Sequence, residues 1–363
     1  MLGAHTRIRS KDRIDCKRAR QRAHAALAGA IAASFSIATP AVADEGGVSF
    51  WVPGLFGSLA AVPQQPGFSF ALIYYHTSVD AGADVAFARQ VSRGRLTANF
   101  AGNLSANLGA DAHLGFAIPT YTFESPLFGA RASVALLVPF GRNKASVDAT
   151  LTGALGPIGF TTGASRTDSV SGLGDLAPQF ALRWNAGVHN WMTYVTGDIP
   201  VGSYESTRLA NLGIGHGAID GGGGYTYFNP ATGHEFSAVG GLTYNFENPD
   251  TNYKNGVDFH LDMAASQFLT KQFSIGLVGY AYQQLTGDSG SGARLGDFKS
   301  RVFGIGPQLS YIFPIGDAQG FLNVKGYKEF AAEHRPEGWN VWLTLSISPA
   351  AAPPPPAKPA IRK

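Results

Sequence analysis

The 363-residue chain has a single cysteine, Cys16, near its N-terminus. The apolar stretch follows this cysteine rather than preceding it, so it is not a lipidation site. Beyond residue 43 there is no thiol at all. That excludes disulfide scaffolding, thiol catalysis and cysteine metal centres, and it suits passage through an oxidising compartment. Long hydrophobic runs are also missing. No segment beyond residue 43 offers the roughly 18 consecutive apolar residues that a bilayer-crossing helix needs. Excess positive charge is missing too, once the leader is set aside. The chain carries 28 Lys+Arg and 25 Asp+Glu, and residues 1–43 hold eight of the basic and two of the acidic side chains. The remainder has 20 and 23, a net charge of −3, which argues against nucleic acid as a partner.

Residues 1–43 have the order of a secretory signal. A basic stretch from Arg7 to Arg22 precedes an Ala-rich apolar run over 25–37, and Ala41-Val42-Ala43 supplies the small-x-small cleavage pattern. Cleavage after Ala43 is expected.

The strongest pattern in the rest is a period of two. In V-D-F-H-L-D-M-A-A-S-Q-F (257–268), Val257, Phe259, Leu261 and Met263 fall on one parity, and Asp258, His260 and Asp262 on the other. A strand puts each set on its own face; a helix scatters both. Similar alternation predicts strands over 68–76, 94–107, 129–140, 176–184, 235–246, 273–284, 302–313 and 339–348. Short connectors (185–190, 229–233, 269–272, 314–319) alternate in order with longer ones (202–218, 247–255, 285–298). Outer-membrane barrels have short periplasmic turns and longer outer loops. The expectation is therefore an all-β fold, a transmembrane antiparallel β-barrel. It has twelve strands if 94–123 is one tall strand, with fourteen as the alternative. Aromatic residues near the predicted strand ends, among them Trp191, Tyr227, Phe228, Phe268, Tyr311, Tyr244, Tyr280, Tyr282 and Trp339, suit two interfacial girdles.

Four regions follow from this reading: signal peptide 1–43, a Gly/Pro-punctuated segment 44–66, a barrel 67–348 and a Pro-rich periplasmic tail 349–363, whose prolines cannot join a ladder. The segment 44–66, with Trp51, Pro53 and Phe56, either plugs the lumen or leads in from the periplasm. Parity directs Asp258, His260, Asp262, Glu235, Gln179, Arg183, Asn245, Arg301, Lys325 and Glu329 to the lumen. A His between carboxylates suits a general base or a metal ligand; the plainer reading is a solvated, charged lumen row. Four glycines at 221–224 suggest a bend or bulge beside the Trp51 segment.

Several segments resemble a known family. S-G-L-G-D-L at 171–176 (with Gly172, Gly174 and Asp175), I-P-V-G-S-Y at 199–204 (with Pro200, Gly202 and Tyr204) and L-A-N-L-G at 209–213 are similar to motifs of the MetA-pathway of phenol degradation family and its sphingosine-induced outer-membrane relatives. So are Y-T-Y at 225–227, Q-Q-L-T-G-D-S-G-S-G at 283–292, G-P-Q-L-S-Y at 306–311, R-P-E-G-W-N at 335–340 and W-V-P-G-L-F-G at 51–57. The resemblance implies a Gram-negative outer-membrane barrel transporter that takes up small hydrophobic or aromatic compounds passively, without catalysis, cofactor or metal. The implied partners are outer-membrane lipids, the solute itself and, during biogenesis, the barrel-assembly machinery. The alternatives are a barrel hydrolase using His260 with nearby carboxylates, and a structural or adhesive barrel.

Overall fold

The structure, a computed structural model, describes residues 49–81, 101–155, 158–293 and 299–350. The expected leader, the start of the 94–123 strand and nearly all of the Pro-rich tail lie outside the described residues. Thirteen strands are described. They are β1 (Gly67–Ala81), β2 (Ala101–Thr122), β3 (Arg131–Leu155), β4 (Ile158–Leu173), β5 (Ala177–Ala186), β6 (His189–Asp198) and β7 (Ala218–Asn229). The rest are β8 (His234–Asn245), β9 (Asp258–Phe268), β10 (Phe273–Gln284), β11 (Arg301–Ile315), β12 (Ala318–Glu333) and β13 (Glu337–Pro349). Among the described residues no helix is long and apolar enough to cross a membrane.

Twelve strands close into an antiparallel barrel. Sequential neighbours pair from β5 to β13, β13 pairs with β1, β1 with β2, β2 with β3, and β3 with β5. Closure leaves the ring without an edge. The thirteenth strand, β4, stands outside the ring. β3 is 25 residues long; its first part pairs with β5, from Arg131↔Arg183 to Leu137↔Ala177. From Phe140 to Leu155 it pairs with β4 instead. β4 therefore stands end to end with β5, and β2–β4 rise above the rest of the rim as a tall wall. The sequence pattern missed β4 and stopped β3 at residue 140.

The period of two is realised as two faces. On β9, Asp258, His260 and Asp262 are buried while Met263 is exposed. On β1, Phe68, Phe70, Leu72 and Tyr74 are all exposed and point away from the lumen, and Leu343, Leu345 and Ile347 do the same on β13. A soluble monomer rarely exposes so continuous an apolar band; a lipid-facing barrel requires one. Trp191, Tyr225, Tyr311, Tyr244, Phe246 and Trp339 lie on this outer face. Tyr280 and Tyr282, expected in a girdle, face inward and are buried. Phe228, Phe268 and Phe321 also lie inside, at the end with the short turns.

Candidate functional site

The inside of the barrel is divided. One half, from β7 to β10 with β12, presents polar side chains that hold residues 49–66 by their backbone. Asp262 accepts the N–H groups of Gly54 at 2.8 Å and Phe56 at 3.0 Å. Lys325, across the lumen on β12, donates to the carbonyls of the same two residues. Glu235 accepts from the Ser58 hydroxyl at 2.9 Å and the Leu59 N–H at 3.0 Å. Further along, the Ala61 N–H donates to Thr226 at 3.1 Å, and the Arg183 guanidinium donates to the Ala60 carbonyl at 3.2 Å. An irregular backbone inside a barrel needs partners for its own N–H and C=O groups. These side chains supply them, with carboxylates facing the donors and cations facing the acceptors.

His260 lies beneath this segment. Its Nε2 is 2.8 Å from the Asp220 carboxylate on β7 and 3.3 Å from the Tyr194 hydroxyl on β6. Asp220 also accepts from Thr243 at 2.6 Å. The Trp51 ring stacks on the imidazole with centroids 3.7 Å apart and planes 10° from parallel. Asp258, His260 and Asp262 are 1%, 0% and 2% exposed. The expected solvated row is thus a sealed one. Beside it, Asn245 donates to Asp258 at 2.8 Å. The glycines of β7 contribute without any bulge, since register runs unbroken on both sides of the strand. A Cβ on Gly222 would lie 2.2 Å from the Gly240 carbonyl and 2.8 Å from the Tyr194 hydroxyl, and one on Gly241 would lie 2.7 Å from His260 Nε2. The absent side chains make the space that Tyr194 and His260 fill, and Trp51 covers them.

The other half is open. A cavity of about 1000 Å³ runs along the inner faces of β1, β2 and β3. Ile73, Leu108, Leu114, Phe116, Ile118 and Leu137 line it, with small Ala71, Ala110, Ala112 and Ala135 between them. Val52, Leu55, Phe56 and Pro63 of the N-terminal segment form its far side. The lining reaches from Leu212 and Pro336 at the long-loop end to Lys271 and Pro349 at the short-turn end. Of the expected lumen residues, Gln179, Arg183, Lys325 and Glu329 border this cavity, whereas Asp258, His260, Asp262, Glu235 and Asn245 do not. Glu329 is held by the Tyr280 hydroxyl at 2.7 Å and the Gly338 N–H at 2.8 Å.

Arg301 is a correction. It shares the outward face of β11 with Phe303 and Ile305, next to a register shift, and pairs with Glu333 at the long-loop rim. A charge at that height on the outer face costs little. Lumen parity does not extend to it.

Three of the family-like motifs, at 171–176, 199–204 and 209–213, meet at the break between β4 and β5. Gly174 and Asp175 form the break, and the Asp175 carboxylate accepts the N–H groups of Gly202 and Ile214, both at 2.7 Å. Burial pushes this carboxyl above the usual range, opposed by those two N–H donors and by nearby His216. A Cβ on Gly202 would lie 2.5 Å from the Gly174 carbonyl carbon, so only glycine permits the approach. Gly172 faces Ser203, and the Tyr204 hydroxyl accepts from Asn248 at 2.8 Å. Pro200 is exposed beside them. The loop so fastened turns Leu209, Ala210 and Leu212 onto the inner face of the tall wall, against Leu108, Ala145, Val147 and Val170.

Parity along β7 could have revealed Asp220. Nothing in the sequence states that it reaches His260, which lies two strands away. Also missed was an outward cluster of His76, Asp111 and His113 at the long-loop end of β1 and β2.

Residues 93–345 match the family described as "Putative MetA-pathway of phenol degradation". No curated protein matches the chain. Among solved structures, the chain is similar to an outer membrane channel from Pseudomonas putida F1, with a TM-score of 0.58 at 15% identity, covering 82% of this chain and 99% of that one. Looser likenesses are a FadL homologue from Pseudomonas aeruginosa (TM-score 0.36, 8% identity, 86% of this chain and 98% of that one) and the translocator domain of the autotransporter NalP from Neisseria meningitidis (0.35, 10%, 80% and 91%).

Proposed function

The chain belongs to the MetA-pathway of phenol degradation family and has the fold of an outer membrane channel, and we propose that it carries small hydrophobic or aromatic molecules across the outer membrane passively. Residues 49–66 act in this reading as a plug that narrows the lumen to one apolar passage. The observation that carries the reading is the cavity of about 1000 Å³ between β1–β3 and the plug, which is lined at both ends of the barrel. An apolar solute gains on leaving water for such a surface, about 25 cal/mol per Å² of apolar area covered. It loses little on leaving again, because the charged groups at the border, Arg183, Lys325 and Glu329, are already bonded within the protein. The polar outer surface of the membrane hinders such solutes, so a protein path speeds their entry.

The sealed His260 supports transport over hydrolysis. Trp51 covers the ring, and neither His260 nor its partners Asp220 and Thr243 border the cavity, so a substrate in the passage does not meet this histidine.

The test fills the passage. Ala112 is 8% exposed on the inner face of β2, beside Phe116 and Leu114. Ala112→Trp is expected to lower uptake of a monocyclic aromatic into protein-containing vesicles by ~10-fold or more, while heat-modifiable gel mobility shows the barrel intact. Uptake equal to the wild type in the folded variant would overturn the reading.

A further inference from the structure

On the outer wall, away from the passage, three side chains converge with the geometry of a metal site. His76 on β1 lies directly opposite His113 on β2. Asp111 is two residues from His113 on the same face. One ligand atom from each of the three lies within 4.8 Å of the others. His113 Nε2 is 3.3 Å from one Asp111 oxygen, and His76 Nε2 is 4.0 Å from the other. The two imidazoles stack with centroids 4.3 Å apart.

The remaining ring nitrogens are already committed. His76 Nδ1 is 3.1 Å from the Ala112 carbonyl. A carbonyl only accepts, so Nδ1 carries the proton and the neutral ring keeps its lone pair on Nε2. His113 Nδ1 is 2.7 Å from the Tyr74 hydroxyl, which leaves its Nε2 for Asp111 or for an ion. Metal-binding histidines show this arrangement: one nitrogen is tied to a carbonyl or hydroxyl, which fixes the tautomer and the plane of the ring, and the other is free to ligate.

The height of the cluster fixes what can reach it. On the outward face of β1 the apolar run Phe68, Phe70, Leu72, Tyr74 ends immediately before His76, and Ser78 and Asp80 follow. On β13 the outward apolar residues end at Trp339, whose ring meets His76 edge-on at 4.9 Å. The site therefore sits just above the lipid band, at the end that carries the long loops. His113 and Asp111 side chains are 51% and 45% exposed there, against 16% for His76.

We propose that His76, Asp111 and His113 bind a divalent d-block cation, zinc first, on the outer face of the barrel. Two imidazole nitrogens and one carboxylate select zinc, copper or nickel over calcium and magnesium, which prefer all-oxygen sets. Three protein ligands leave a fourth position for water or for an anionic oxygen of a neighbouring molecule. The proposal does not depend on the transport reading, because the site faces away from the lumen.

The experiment uses the folded full-length barrel in detergent, purified without a histidine tag. Zinc chloride is titrated by calorimetry, and bound metal is counted after dialysis. One zinc per barrel is expected. Asp111→Asn and His113→Ala should each weaken binding by ~100-fold or more, and Tyr74→Phe, which removes only the orienting hydroxyl, by ~10-fold. His189→Ala, on the outer face near the opposite end, should leave binding unchanged. Heat-modifiable mobility shows that each variant is folded; all of the altered side chains lie on the outer surface. Wild-type binding no stronger than that of the His76→Ala/Asp111→Asn/His113→Ala triple variant would overturn the proposal. Calcium binding as tight as zinc binding would do the same.

Discussion

The two halves of the lumen differ in what their side chains do. Along β7–β10 and β12 many inward residues are charged or hydroxylic, and Asp262, Glu235, Thr226, His260 and Lys325 bond to residues 49–66 or to inward neighbours. Along β1–β3 most inward residues are apolar, chiefly Ile, Leu, Phe and Ala, with a few uncharged polar ones such as Ser69, Thr120 and Asn143, and a cavity of about 1000 Å³ faces them. Charge inside a barrel is usually taken as a sign of a wet pore. Here the charge is where water is excluded, and the open space is where charge is scarce. Polar groups hold residues 49–66 in place, and mostly apolar groups line the cavity beside them.

The sharpest way to break this comparison is to release the clamp. Asp262 and Glu235 together accept four hydrogen bonds from Gly54, Phe56, Ser58 and Leu59. Hydrogen bonds to a charged acceptor contribute ~1.5–3 kcal/mol each, so the Glu235→Ala/Asp262→Ala pair removes on the order of 6–12 kcal/mol of local hold. Cys16 is the chain's one native cysteine, so in a chain begun after residue 43 Phe56→Cys gives a unique reporter. In the released background its reaction with a membrane-impermeant maleimide is expected to quicken at least ~10-fold, and single-channel conductance to rise. Unchanged labelling would mean that the carboxylates do not hold the segment.

A second test asks whether the polar half depends on space as well as on bonds. Gly222 and Gly223 are neighbours on β7 and face opposite ways. A Cβ on Gly222 meets backbone at 2.2 Å, while one on Gly223 has its nearest atom, the Met192 carbonyl, at 3.2 Å. Gly222→Ala is expected to lower barrel stability by ~1–3 kcal/mol, as overpacking does, and to loosen Trp51 from His260. Gly223→Ala should cost well under half of that. Urea unfolding followed by gel mobility separates the two, and equal losses would show that the inward space does not matter.

How far all this was legible follows from where lipid contrast exists. Within the apolar band each strand has oil on one face and the lumen on the other, and V-D-F-H-L-D alternates accordingly. β9, β10, β11 and β13 were visible for that reason, and alternating connector lengths supplied their directions. β4 reads I-G-F-T-T-G-A-S-R-T-D-S-V-S-G-L. It stands above the band with no lipid to impose a period of two, so no alternation marked it. Arg301 was placed on the wrong face because it sits at the rim beside a register shift, where parity stops being enforced. The residues of the polar half were identifiable one by one. Their division of labour was not, because Asp220 meets His260, and Asp262 shares the Gly54 and Phe56 peptide groups with Lys325, through the curvature of the barrel and the path of the plug. The cavity, an absence of atoms between β1–β3 and the plug, has no signature in any single strand.

The smallest expected effect concerns the roof of the open half. Asp175 ties the loop after β6 to the β4–β5 break, and Leu212, within that loop, is part of the cavity lining. Asp175→Asn keeps the volume but offers one acceptor oxygen where two are in use. Its amide N–H₂ then faces a backbone N–H, at either Gly202 or Ile214. The expected cost is ~1–3 kcal/mol, felt locally in the loop rather than across the barrel. Limited proteolysis should nick the chain between residues 203 and 213 several-fold faster in the variant, with heat-modifiable mobility of the uncut barrel unchanged. Aromatic uptake should rise modestly, because a loosened roof widens the long-loop end of the passage without touching its walls. If uptake fell instead, the loop would be guiding solute into the cavity rather than restricting its entry, and the long-loop end of the apolar half would need the same kind of fixed positioning that the polar half gives the plug.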